Sequence, residues 1–308
     1  MWIMKLFAEA DLVWAYRLFL LLLTFTAING CVSKDSYRFG RLRSSAVPYR
    51  STPVSMSLGE ADHRSLDNIE GALFLPFDSI SEVIPWNRPV GSLPFRRREA
   101  VNQAVKFLSQ NDLVDVHVSV RDYQPIDQWQ RLLKNSEVHP LWKYTDGSFR
   151  VVSSTLLPER VLRIDRYNPH TKTLHLNSGN PASAVHAAAT AKDFLSNKTP
   201  GVYAISQHIP LLPVWQQLKI ANDSLQYARA NEDWSLEKGI YPKAYAKIGS
   251  SLFSDAYAFV PGSGSLPFFA APAVSMAGRV FGRTAGEIQV QRLSQHRKLS
   301  PPTGSIRR

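Results

Sequence analysis

"AVHAAATAKDFL", residues 184–195, decides how the chain is to be read. Asn180-Pro181 precede it, an N-cap residue followed by the one position where proline suits a helix, so the spacing predicts a helix from Pro181 onward. Alanines at 182, 184, 187, 188, 189 and 191 favour helix and let neighbouring elements approach closely. His186 lies among them, and Thr190 follows four residues later on the same face. A lone histidine on such a helix is either a satisfied core residue or what is left of a metal site.

The segments before it read as strands. Val114, Val116, Val118 and Val120 alternate with Asp115, His117 and Ser119, the pattern of a half-buried strand with His117 on its solvated face. "SFRVVSSTLL" (148–157) and "RVLRIDRY" (160–167) read as further strands, and "KTLHLNS" (172–178) returns after the turn Asn168-Pro169-His170-Thr171. Ala100, Val101, Ala104, Val105 and Leu108 recur at helical spacing, with Arg96-Arg97-Arg98 at the start of that helix. "DQWQRLL" (127–133) is a short helix. Beyond the His186 helix, residues 210–231 and 234–252 read as helices, the second bent at Pro242. The expected class is α+β, mainly helical, with a small antiparallel sheet before the His186 helix.

The ends carry other signals. Lys5 and Arg17 precede the apolar run Leu18–Ile28, and Asn29-Gly30-Cys31 follows. A basic region, an apolar core and a small residue form an export signal. Cys31 is the only cysteine, so no internal disulfide accounts for it. "INGC" resembles the lipobox of bacterial lipoproteins, in which the cysteine is lipidated. The expectation is a signal peptide over 1–30 and lipidation at Cys31; an uncleaved anchor helix is the competing reading. Residues 31–64 read as a disordered tether rich in Ser, Arg and Pro, and the folded domain is expected over 65–250.

From Ala256 to Gly278 no residue is charged, and Gly278, Gly282 and Gly286 recur every four positions. That stripe suits close helix packing. Pro261, Pro267 and Pro272 argue against one clean span, so 251–290 is expected to form short apolar helices, with membrane contact as one of two readings. Residues 291–308 read as a basic disordered tail.

The net charge of +11 favours anionic surfaces, either lipid headgroups or nucleic acid. The arginines are scattered and the chain reads as exported, so lipid is expected and nucleic acid is not. No G-x-x-x-x-G-K-[ST] phosphate loop and no G-x-S-x-G nucleophile elbow occurs.

"YNPHTKTLHLNSGNPASAVHAAATAKDF", Tyr167 to Phe194, resembles an uncharacterised family of bacterial exported proteins. Their segment runs Y-N-P-x-T-x-T-x-H-L-x-S-x-x-P-x-x-A-x-H-E-x-x-H-A-K-D-F. The resemblance implies a zincin-like core in which His186 is the first zinc ligand, with Glu232 or Glu237 as a distant third. The departures fall on the chemistry. Ala187 stands where the general-base glutamate belongs, and Thr190 where the second histidine belongs. Catalytic zinc needs three protein ligands and a water that a carboxylate can deprotonate. Alanine does neither job, and an un-ionised threonine hydroxyl binds zinc poorly. The expectation is therefore a pseudoenzyme: no catalytic residue, no cofactor, and His186, Glu232 and Glu237 as vestigial metal candidates only. Its expected place is the bacterial cell envelope. Its expected role is binding or scaffolding, with membrane lipid as a partner and an envelope protein as a further candidate. The alternative is an active zinc-dependent or other hydrolase built on residues outside this motif.

Overall fold

The computed structural model describes residues 36–49, 54–58, 93–120, 125–136, 140–156, 164–197, 211–258 and 270–299, with isolated positions 138, 199, 203 and 209. Cys31 and the expected signal peptide lie outside the described residues. The described residues are mixed α+β and mostly helical, with a four-stranded sheet.

The central element is the alanine-rich helix α4, Pro181–Leu195. Asn180 caps it: its side chain accepts from the backbone N–H of Ala182 at 3.0 Å and of Ser183 at 3.2 Å. The helix is buried on nearly every side, from Ala182 to Leu195. Small side chains make that possible, because α1 (Leu93–Gln110), α5 (Leu212–Ala230) and α6 (Trp234–Ala258) all pack on it. The alanine run is thus the low-profile centre of a helical layer.

The sheet lies against this layer. Its order is β1 (Met56–Leu58), β2 (His117–Val120), β4 (Thr173–Leu176), β3 (Arg166–Asn168). β1 pairs with β2 and β2 with β4 in parallel; only β3 and β4 are antiparallel. The antiparallel sheet expected from the sequence is therefore corrected to a largely parallel one. Two strands distant in sequence, β2 and then β1, add to the β4 side of the hairpin, and that pairing leaves no local signal. Val118, Val120, Leu174, Leu176 and Tyr167 enter the core. The alternate residues form a second face, polar but buried, over which α2 (Pro125–Lys134) lies. β2 is consequently buried at all four positions, and His117 is 9% exposed, not solvated.

Three further expectations change. Residues 148–156 form a helix, α3, following a π-helical turn at Lys143–Gly147, where a strand was expected. Its strand-favouring residues do not alternate in burial: Val151 is buried, while Phe149 and Val152 are exposed. The expected tether is partly built into the fold. Tyr37 and Phe39 are core residues, and Tyr37 meets Tyr227 edge-on at 5.6 Å. The expected basic tail continues as helix to Leu299 within α7 (Ala270–Leu299). Arg297 lies over the Trp234 ring at 3.9 Å and bonds Glu237 at 3.0 Å, which fastens the helix end to α6.

The α6–α7 pair is held by its glycines. A Cβ on Gly249 or Gly278 would strike the other's carbonyl, and one on Gly282 would strike the carbonyl of Tyr245. The Gly278/Gly282/Gly286 stripe therefore faces α6. No helix among the described residues is long and apolar enough to cross a membrane.

Candidate functional site

His186 sits in the middle of α4 and is 1% exposed. Neither ring nitrogen closes a hydrogen bond, although Gln217 and Lys247 are its polar neighbours. Burial, with the nearby Lys247 charge, pushes the imidazole well below its usual range, against a smaller opposing effect of Gln217. The ring is therefore neutral. Thr190, where a second ligand would stand, is half-buried, and its hydroxyl donates back to the His186 carbonyl at 2.9 Å. This is the back-bonding a helical threonine adopts in place of a free hydroxyl.

The two glutamates do not complete a site. Glu232 is exposed in the turn between α5 and α6, with φ 55°. Glu237 is buried and already engaged. One carboxylate oxygen accepts from Arg229 Nε at 2.8 Å and from the Tyr241 hydroxyl at 3.4 Å; the other accepts from Arg297 at 3.0 Å. Two guanidinium groups on one carboxylate account for a buried acid without any metal. Among the described residues no group of three His, Cys, Asp or Glu side chains converges. His175 belongs to the polar face of the sheet, alternating with Leu174 and Leu176 on the core face. It thus does not line a cavity with His186. Burial first, then Arg166 and His117, lower it to about 4.

The residues around His186 that carry the resemblance have clear structural tasks. Lys192 is 0% exposed, donates to the Tyr37 hydroxyl at 2.8 Å and the Arg38 carbonyl at 2.9 Å, and faces Asp223 at 3.2 Å. Burial lowers it to about 8, with Asp223 opposing. Asp193 meets Lys219 at 2.6 Å and accepts from the Tyr203 hydroxyl at 2.6 Å. Asp165 accepts from the backbone N–H groups of Asn177 at 2.7 Å and Ser178 at 2.8 Å, and from the Ser178 hydroxyl. Lysine and aspartate at 192 and 193 thus clamp the 36–49 segment and α5 to α4. That explains their place beside the alanine run without catalysis.

One arrangement was missed by sequence reasoning. On the polar face, His117 lies between two hydroxyls of the β1 edge. Its Nδ1 is 3.2 Å from Ser55 Oγ and its Nε2 is 3.0 Å from Ser57 Oγ. With the proton on Nδ1, the ring donates to Ser55 and accepts from Ser57. Ser57, His117, Ser119 and Thr173 line a small cleft of about 10 Å³, room for about one water, with Asp127, Gln128 and Arg131 of α2. Arg131 holds Asp127 at 2.6 Å across one turn. The alternation Ser55-Met56-Ser57 was the only available signal, and it does not say that β1 pairs with β2.

No family model, curated protein or solved structure matches the chain.

Proposed function

We propose that this chain is a non-catalytic, membrane-tethered envelope lipoprotein whose metallopeptidase-like core has lost its chemistry and serves in binding or scaffolding. The observation that carries the proposal is the engagement of Glu237 by Arg229, Tyr241 and Arg297. A carboxylate spent on two arginines is not available as a metal ligand. Thr190 supports the same reading through its hydroxyl, which is turned onto the helix backbone. Tethering rests on the export signal and on Cys31 as the lipidated residue. The partners that fit are membrane lipid and an envelope protein held by the domain.

A second reading has one observation in its favour. The Ser57–His117 contact at 3.0 Å has nucleophile-to-base spacing and lines the small cleft. The group on the far side of the ring is an exposed serine, Ser55, rather than the carboxylate that usually orients such a base. For this reason the hydrolase stands second.

One experiment separates the two. Purified chain is incubated with unfolded protein and with a p-nitrophenyl ester, alongside the Ser57→Ala and His186→Ala variants. The first reading expects no turnover in any of the three. Turnover lost only in Ser57→Ala would establish the hydrolase, and turnover lost in His186→Ala would restore a metallopeptidase.

A further inference from the structure

Helix α7 has two apolar sides, and only one of them is used. The glycine side, Gly278, Gly282 and Gly286, is buried on Tyr241, Tyr245, Gly249 and Phe253 of α6. By the 3.6-residue repeat, Met276, Val280, Phe281, Thr284 and Ile288 form a stripe centred roughly 160° around the helix from those glycines. They are left uncovered: Met276 is 38%, Val280 41%, Phe281 66% and Ile288 45% exposed. Phe281 stacks on the half-buried Phe253 at 5.7 Å, so the stripe continues onto α6 as one surface. A largely apolar stripe of this kind, interrupted by Thr284 and Glu287, marks an interaction site, unlike the single exposed apolar residues that any surface carries.

The charges around the stripe indicate its occupant. Arg279 and Arg283 border one flank and Arg292 the lower end, all exposed. Glu287, the only acidic residue of α7, falls within the stripe by the same repeat and pairs with Arg283 at 3.1 Å, so three arginines stand against one carboxylate on this side of the helix. The sequence leading into the helix, from Ala256 to Gly278, has no charge to keep it in water. An apolar stripe edged with arginine is the pattern of a helix lying in the plane of an anionic bilayer surface. Two copies of the stripe face to face would instead bring like charges together.

We infer that the outward face of α7 seats on an anionic lipid surface, with Met276, Val280, Phe281 and Ile288 among the acyl chains and Arg279 and Arg283 at the headgroups. This adds a second membrane contact to the tether proposed above and rests on that reading. The domain would lie against the bilayer, with α7 and the adjoining turn of α6 inward, instead of hanging free from its N-terminus.

The test uses the full chain carrying Cys31→Ser, so that a single new cysteine can be labelled. Met276→Cys bears an environment-sensitive fluorophore, and Ser235→Cys, exposed at the far end of α6, serves as the control. Vesicles contain phosphatidylglycerol and phosphatidylcholine, or phosphatidylcholine alone. The expected result is a blue-shifted, brighter emission at position 276 on the anionic vesicles and no change at 235. Replacing Arg279 and Arg283 by glutamine should weaken the apparent affinity about fivefold for each arginine. Vesicle flotation of the same samples reports association of the whole chain. Protein that floats while position 276 stays in water overturns the inference and leaves the N-terminal tether standing. Protein that neither floats nor shifts overturns the inference alone, because Cys31→Ser has already removed the residue on which the lipid tether rests. A shift that follows protein concentration without vesicles overturns the lipid assignment in favour of self-association.

Discussion

Replacing Gly282 by alanine tests whether the glycine seam, rather than apolar character in general, joins α6 to α7. On an exposed helix the change stabilises by about 1 kcal/mol, because alanine restricts the unfolded chain and suits helix better. In this seam the added methyl would run into the Tyr245 carbonyl, 2.7 Å from its carbon and 3.1 Å from the Ala246 Cα. These are main-chain atoms and cannot rotate away, so the helices must separate. Gly278 lies on Gly249, and Gly286 on Tyr241 and Pro242, along the same line, so separation at 282 loosens both neighbours. Overpacking of this kind costs about 1–3 kcal/mol, and forced movement of main chain places it in the upper half of that range. After the gain in propensity is subtracted, Gly282→Ala is expected to lose about 1–2 kcal/mol. The assay is urea unfolding followed by far-ultraviolet circular dichroism, with Thr284→Ala on the exposed side of the same helix as control, expected within about 0.5 kcal/mol of wild type. Stabilisation by Gly282→Ala would refute the seam, since it would mean that position 282 does not touch α6.

Lys192→Met leaves the Asp223 carboxylate buried without its main cation and should cost about 3–5 kcal/mol, much of it recovered in a Lys192→Met/Asp223→Leu double variant; urea midpoints decide. Asp165→Ala frees the backbone N–H groups of Asn177 and Ser178 and should cost about 2–3 kcal/mol by the same measurement, with Asp165→Asn recovering part of the loss. Burial lowers Lys247 to about 8, with Arg279 and Lys243 adding and Asp165 opposing, and Lys192 also stands at about 8. Between pH 8 and about 10 the unfolded lysines hold protons that the folded ones have released, so stability should rise with pH in that window, and the rise should be about halved in Lys247→Met, where Lys192 still contributes. Falling stability across the same window in wild type would contradict this placement of the two lysines.

What the sequence shows and what it hides follows from the range of the interactions. Helices α1, α5 and α6 are legible because each carries its own periodicity, and α4 because Asn180-Pro181 caps a run of alanines. The strand β2 was legible as a strand but not in its environment. Alternating valines identify one apolar face, yet only the parallel partners on both sides and α2 above bury His117 and Ser119 as well. Helix α3 was misread since Phe149, Val151 and Val152 favour strand locally, whereas packing beside the π-helical turn prevails. Tyr37 and Phe39 gave no periodic signal at all. They join the core through Lys192 and Tyr227, more than a hundred residues away, which no local reading can anticipate. The same holds for the candidate site. Ala187 and Thr190 can be read in the sequence as non-ligand side chains beside His186, while the engagement of Glu237 by Arg297 depends on α7 continuing beyond Gln291.

The central claim is that the His186 helix is a structural core element whose metal chemistry is lost. It is tested most directly by the zinc content per chain, measured by mass spectrometry on purified wild type and on Thr190→His after exposure to zinc and desalting. The account predicts no stoichiometric zinc in wild type. It predicts raised but substoichiometric zinc in Thr190→His, where a histidine pair four residues apart returns while Glu237 stays with its arginines. One zinc per wild-type chain would contradict the account and return the protein to the metalloenzymes.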